Sequence, residues 1–386
     1  MKNSVISKAI EIAKRDLRSC YAEKGILTGS RGVYWSWDSF YASLGALEIG
    51  DFDIVKKNLS LYLNYQRESG NIPKRVAHPL YPLRYLGFPI KELPQKQKPN
   101  YMSPYFTGTS ISQCPVFIIA FYEYVTKSGD FKYLESNFNK LLNMVSFLGD
   151  HSYKSGLLKE SVGGGWAESV LKRGAIAYSN MNYVKSLENM ADMARMLKKE
   201  EEEKHLTAKA EKVKKAVNKI LWDEKDGGFY SDWVGRARHH YFVSDGNLLA
   251  ILWGVASEAQ SKKIDINLDK LLQKDDLPLP LTYSRYYFWR IYFTNILAGI
   301  KDYHVGFSWL WLGSLAAVAK QMLGQHEEAK KILESISKAI IQYGSVFEIY
   351  DKGRPVSTLF YKSEKPWAWA AGIFIYSCKK CGILGS

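Results

Sequence analysis

Gly163-Gly164-Gly165-Trp166-Ala167-Glu168-Ser169 lies near the middle of the chain, between two stretches with helical apolar spacing, 131–149 and 177–197. Three glycines relax the backbone immediately before an indole and a carboxylate. The stretch therefore reads as a loop at the mouth of helices. An indole is a flat apolar platform of the kind a pyranose face stacks on. A neighbouring carboxyl holds or releases a proton according to its burial. A glycine-rich turn with an idle surface glutamate is the plain alternative, and the rest of the chain decides between them.

Working outward, helical spacing covers about 4–19, 37–49, 52–66, 110–128 and 131–149, then 177–197, 200–222, 244–254 and 256–274. The segments 306–322, 326–342 and 366–378 close the chain. These make roughly twelve helices in antiparallel-looking pairs. Strand signals are sparse, although Gly227-Gly228-Phe229-Tyr230 after Trp222-Asp223 suggests a small hairpin. Two long segments, 67–109 and 276–303, have little periodicity but many aromatics, and long aromatic loops inside a compact domain are usually functional. Such a pattern predicts an all-α (α/α)6 toroid, six inner helices ringed by six outer ones, with the loops gathered on one rim. No fixed sequence period is present, which argues against an α-solenoid. No composition shift marks a boundary, so one domain over 1–386 is expected, with 67–109 as a lid.

The chain has 386 residues, 46% of them hydrophobic, enough for a large core. It contains no apolar run approaching the length of about 18 residues that a membrane span needs. Met1-Lys2-Asn3-Ser4-Val5 leads into an amphipathic pattern rather than a signal-peptide core, so no membrane insertion and a cytoplasmic location are expected. Four cysteines are too few for a disulfide framework, and Cys378-Lys379-Lys380-Cys381 lacks a second ligand pair for zinc. His239-His240 has no third ligand at metal spacing, so no metal and no cofactor are expected. The net charge of +14 is spread along helices and interleaved with glutamates, as in Lys198–Lys204, and no nucleic-acid motif accompanies it. Eleven Trp and 26 Tyr make up most of the 14% aromatic content, which fits carbohydrate platforms. A small carbohydrate is the expected partner.

Two further segments carry carboxylates among aromatics. The first is Tyr34-Trp35-Ser36-Trp37-Asp38-Ser39-Phe40, at the start of a helix. Capping explains an acid at Asp38 but not the flanking indoles. The second is Ser345-Val346-Phe347-Glu348-Ile349-Tyr350-Asp351, followed by Trp367-Ala368-Trp369. The first segment resembles the Trp-Asp-Ser/Thr segment of the trehalases, processing α-glucosidase I and glycogen-debranching α-glucosidases, which are inverting glycoside hydrolases on (α/α)6 toroids. Glu348 is similar in position to the carboxylate of their Glu-Lys-Tyr-Asp/Asn segment. The resemblance implies that Trp37 and Asp38 shape the terminal-sugar subsite and that Glu348 is the general base. Those families carry the general acid on a Gly-Trp-Asp loop; here Gly165-Trp166-Ala167-Glu168 has a glutamate one residue later, and the resemblance implies that Glu168 takes that role.

An inverting glycosidase needs one protonated carboxyl for the leaving oxygen and one ionised carboxylate on the opposite face to activate water, about 6.5–9.5 Å apart. Burial beside Trp166 would keep Glu168 protonated, and Lys365 or Arg75 would keep Glu348 charged. Further candidates for sugar contact are Tyr34, Trp35, Gln66, Arg75, Arg173, Asn180 and Trp367. Of Trp309 and Trp311, two residues apart at a helix start, one at most faces the pocket and the other is core. The substrate expected is a small α-glucoside or related glycoside cleaved by exo action. The alternatives are a sugar epimerase or isomerase using histidines on the same toroid, and a non-catalytic carbohydrate-binding toroid.

Overall fold

The structure is a computed structural model, and it describes residues 4–81, 83, 96–103, 108–272 and 279–384. Thirteen α-helices are found among them: α1 Ser4–Ser19, α2 Ser36–Glu48, α3 Phe52–Asn64, α4 Gln113–Ser128, α5 Phe131–Asp150, α6 Ala177–Met196, α7 Glu200–Ile220, α8 Ser244–Leu252, α9 Glu258–Leu272, α10 Phe293–Leu297, α11 Leu310–Met322, α12 His326–Tyr343 and α13 Ala368–Lys380. Helix α2 packs on α4, α4 on α6, α6 on α8, α8 on α11, α11 on α13, and α13 back on α2. That sequence of contacts closes a ring of six inner helices. Helices α1, α3, α5, α7, α9 and α12 lie outside it, each packed on its inner partner, and α1 also meets α12. The fold is thus an (α/α)6 toroid, with the short α10 added in a rim loop.

Patterning explains which helices go inside. Every residue of α2 from Ser36 to Leu47 is buried, and α11 is buried from Leu310 to Lys320. A helix without a polar face has no stable place but the centre. By contrast, α7 buries only Leu206, Ala210, Val213 and Val217, a single stripe at helical spacing. One hydrophobic core runs from Ile6 to Cys378. All four cysteines are free thiols.

Ring closure depends on small residues. A Cβ on Gly45 of α2 would lie 2.1 Å from the Gly372 carbonyl oxygen of α13, and a Cβ on Gly372 would lie 2.6 Å from the Ala42 Cα. These two helices touch backbone to backbone.

Small antiparallel sheets decorate the end where inner helices begin. Tyr34–Trp35 pairs with Arg75–Ala77, which pairs with Lys98–Asn100. Ser308–Trp309 pairs with Ile349–Asp351, and Ala175–Ile176 pairs with Phe229–Val234. The expected hairpin after Trp222 is part of the last sheet, with Phe229–Val234 also pairing with Arg238–Phe242. The segment 67–109 is laced to the rim through two of these strands; its residues 82, 84–95 and 104–107, and with them much of the expected lid, lie outside the described residues. Replacing Gly372 with Ala should force α2 and α13 apart and cost about 3 kcal/mol of stability, read from urea unfolding. An unchanged midpoint would contradict the close contact.

Candidate active site

The six inner helices start at one end, and several place an aromatic or acidic side chain at the second helical residue: Trp37, Tyr178, Asp245, Trp311 and Trp369. Trp166 fills the space between them. Its ring lies 6.0 Å from Tyr178, 5.0 Å from Trp311 and 5.4 Å from Trp369, the last two edge-on. Its indole Nε1 donates to Asp245 Oδ2 at 2.7 Å. His304 and Trp309 meet its other sides, their rings stacked on one another. Burial pushes the Asp245 carboxyl above the usual range, against the nearby Lys172 ammonium and its hydrogen bonds from Trp166 and the Gly246 N–H.

Above this floor opens a cavity of about 610 Å³. Four carboxyl side chains line it: Asp38, Glu168, Glu348 and Glu364. Trp35, Trp37, Trp166, Trp309, Trp367 and Trp369 supply aromatic wall, with Tyr81, Tyr292, Tyr303, Tyr361 and Phe360. These residues come from five separate connections on one rim, around Trp35, Tyr81, Trp166, Tyr303 and Glu348.

Each carboxyl has its own environment. Glu348 is buried, and both oxygens accept hydroxyl hydrogen bonds, Oε1 from Tyr303 and Oε2 from Tyr361. Glu168 is paired with Lys74 Nζ at 3.0 Å; its side chain is 31% exposed, whereas that of Lys74 is 4% exposed. Asp38 is buried at the first turn of α2, and its Oδ1 has no hydrogen-bond partner among the described residues. Burial, followed by the charge of Glu348, pushes the Asp38 carboxyl well above the usual carboxylate range. Glu364 bonds Arg31, with Arg31 N–H at 2.7 Å from Oε1 and the guanidinium at 3.0 Å from Oε2. Burial still raises the Glu364 carboxyl to about 7.

The expected protection of Glu168 by burial falls elsewhere. Trp166 turns inward to Asp245, so Glu168, two residues on, turns out toward Lys74 on the Arg75–Ala77 side. Nor do Lys365 or Arg75 reach Glu348. Lys365 is exposed over the Phe347 ring at 5.1 Å, and Arg75 lies between the rings of Trp35 and Tyr81.

Of the other expected sugar contacts, Trp35, Trp37, Asp38, Trp166, Trp309 and Trp367 line the cavity. Trp311 is core, stacked on Trp369 at 4.5 Å, because its helical position points down the ring axis while Trp309 precedes the helix. Tyr34 is buried behind Trp35, where strand alternation puts it, and its carbonyl accepts from Tyr62. Asn180 is buried in structural bonds, Oδ1 accepting from the Leu158 N–H and Nδ2 donating to the Ile176 carbonyl. Gln66 donates to the Gly70 and Lys140 carbonyls, pinning a loop to α5. Arg173 is exposed and outside the lining set. Tyr303, Tyr361, Glu364 and Asp245 were not singled out by the sequence, since nothing in local periodicity marks them.

The glycine loop has a second support. Glu160 is buried beneath it, bonded to the Ser179 hydroxyl, and a Cβ on Gly165 would lie 3.1 Å from its Oε2. Burial raises the Glu160 carboxyl to about 7, from the ordinary 4.5. A carboxyl with a raised folded-state value binds its proton more tightly when folded. Its burial therefore costs nothing below about pH 4.5, and stability falls as pH rises through about 7. Replacing Glu160 with Gln should flatten the fall in melting temperature between pH 5 and pH 8, removing a cost on the order of 1–3 kcal/mol at the upper end. Parallel curves for both proteins would contradict this.

Comparison with known proteins agrees with this architecture. Residues 89–279, just under half of the chain, match the family model for the bacterial alpha-L-rhamnosidase six-hairpin glycosidase domain. No curated protein sequence matches. A rhamnosidase from Klebsiella oxytoca, solved with rhamnose bound, superposes with a TM-score of 0.70 at 16% identity, over 97% of this chain and 64% of that one. A mannosylglycerate hydrolase from Thermus thermophilus gives 0.69 at 15% identity, over 96% of this chain and 99% of that one. A glycosidase in complex with glucose gives 0.69 at 11% identity, over 100% of both chains. At such identities the likeness is one of fold, and it is the same closed ring of helices. The chain accordingly shares the (α/α)6 toroid fold of these proteins, and residues 89–279 resemble a six-hairpin glycosidase domain.

Proposed function

We propose that the protein hydrolyses a small α-glycoside from its non-reducing end with inversion, acting as one catalytic domain over 1–386. The observation that supports this most is that Glu168 and Glu348 reach one aromatic-walled cavity from loops in opposite halves of the chain. In this reading Glu348 is the general base. Two tyrosine hydroxyls fix both its oxygens, which suits a carboxylate that starts the reaction negatively charged and directs a water at the anomeric carbon. Glu168 is the general acid on the opposite side. Its Oε2 faces the Lys74 ammonium, and its exposed side gives onto the cavity where the glycosidic oxygen would sit. The unpartnered Asp38 oxygen binds a hydroxyl of the terminal sugar, whose apolar face rests on the indoles.

One observation favours a second assignment. Asp38 is the carboxyl that burial holds well above the usual range, the property a general acid needs. An epimerase is less well supported, because His304 is the histidine lining the cavity among the described residues and it is engaged with Ser169 and Trp309.

The sugar follows from a panel. An α-glucoside is the first candidate, in keeping with the Trp-Asp-Ser segment and the glucose-bound neighbour. Mannosylglycerate and an α-L-rhamnoside enter from the other two neighbours. On the substrate found, Glu168→Gln should lower kcat about 10³-fold for a poor leaving group and far less for a nitrophenyl glycoside, which needs no proton. Glu348→Gln should lower both alike. If Asp38→Asn rather than Glu168→Gln shows the leaving-group dependence, Asp38 is the acid. Full activity in both glutamine variants would sink the assignment, and binding without turnover by the parent would leave a carbohydrate-binding toroid.

A further inference from the structure

The rim around the cavity is unlike the rest of the surface. On the segment before and within α10, Phe288 is 74% exposed, Trp289 57%, Phe293 64% and Leu297 61%. On the hairpin closed by the Ser357–Lys362 bridge, Leu359 is 88% exposed and Phe360 68%. The two segments adjoin: the Thr358 hydroxyl donates to the Ala298 carbonyl at 2.8 Å. The first segment is also laced to the catalytic loop, with the Tyr292 N–H donating to the Ser169 carbonyl at 2.8 Å. Phe360 and Ala298 line the cavity itself, so this apolar surface is continuous with the mouth. Large aromatic and aliphatic tips clustered in water are costly, and a contiguous patch of them marks a docking surface.

Charge indicates what docks. Residues 279–301 and 352–363 contain no aspartate or glutamate, although Asp302 and the exposed Asp351, which lies opposite Arg354 in its strand pair, border them. They carry Arg285, Lys301, Lys352, Arg354 and Lys362, all exposed. Apolar tips on segments whose cations outnumber the carboxylates at their borders match a surface that is anionic outside and apolar just beneath. A protein partner would offer mixed charge; a bilayer rich in anionic lipid offers this arrangement over its whole area. The net charge of +14 acts in the same direction at longer range.

We propose that the cavity rim docks on anionic lipid bilayers, with Phe288, Trp289, Phe293, Leu297, Leu359 and Phe360 entering the headgroup boundary. No span is implied: among the described residues no helix is long and apolar enough to cross a membrane. Docked in this way, the cavity opens toward the lipid surface and toward sugars carried on it.

The test reads binding and not turnover, so it stands apart from the glycosidase assignment. The full chain is floated with phosphatidylcholine vesicles and with vesicles containing about 30% phosphatidylglycerol, while Trp fluorescence is followed. Association with the anionic vesicles alone, a blue shift of the emission, and loss of binding at about 0.5 M salt are expected. Phe288→Ser/Trp289→Ser/Leu359→Ser should weaken binding about tenfold or more. Should that variant fail to fold by circular dichroism, Lys352→Gln/Arg354→Gln, which leaves the apolar tips intact, should weaken it several-fold. No association of the parent with anionic vesicles would overturn the proposal. So would variants that bind as the parent does, or a parent dimer that the serine variant dissolves, which would make the patch an interface between two copies.

Discussion

The indole of Trp166 and the buried carboxyl of Asp245 hold the site together. Trp166 comes from a loop, yet it touches the first turns of α6, α11 and α13 and is hydrogen-bonded to that of α8. A ring of helices leaves an open axis, and side chains alone must fill it at one end. A large indole in edge-on contact with its neighbours fills that space. Asp245 satisfies the one polar atom of the plug, and the N-terminus of α8 helps to offset the carboxylate's burial. With Trp166 fixed, Glu168 has no choice of direction and emerges at the cavity wall beside Lys74.

Four carboxyl groups around one cavity would repel one another if all were ionised and unpaired. Each of the four sits in different surroundings. Glu348 has two tyrosine hydroxyls, Glu168 has an ammonium, Glu364 has a guanidinium, and Asp38 has burial without a cation. Burial holds the Asp38 and Glu364 carboxyls above the usual carboxylate range. Glu160 extends the pattern below the floor, where its buried carboxyl supports the loop that carries Trp166 and Glu168.

Much of the fold was legible because helix periodicity is a local property. The inner helices announce themselves by lacking a polar face, as in α2, and the outer ones by a stripe, as in α7. Trp37, Asp38, Trp166, Glu168 and Glu348 line one cavity, and what linked their segments in the sequence was their resemblance to segments of inverting glycosidases rather than local periodicity. What escaped depends on how loops fold back. Tyr303 and Tyr361 reach Glu348 from two separate connections, and no spacing encodes that. Asn180, Gln66 and Arg173 follow site-bearing stretches in sequence, but helix phase and loop direction send them into structural bonds or solvent. The partner of Glu168 is Lys74, 31% against 4% exposed, so the buried member of the pair is the lysine, opposite to what proximity to Trp166 alone implies.

The proposed function requires that water, activated by Glu348, displace the leaving group from the opposite side of the sugar while Glu168 supplies the proton. Proton NMR of the anomeric region, recorded during the first minutes of hydrolysis of an α-glycoside and before mutarotation, tests this directly. Inversion releases the β-anomer first, with the α-anomer following only by mutarotation. First release of the α-anomer would mean retention, and the two-carboxylate inverting arrangement of Glu168 and Glu348 would be wrong.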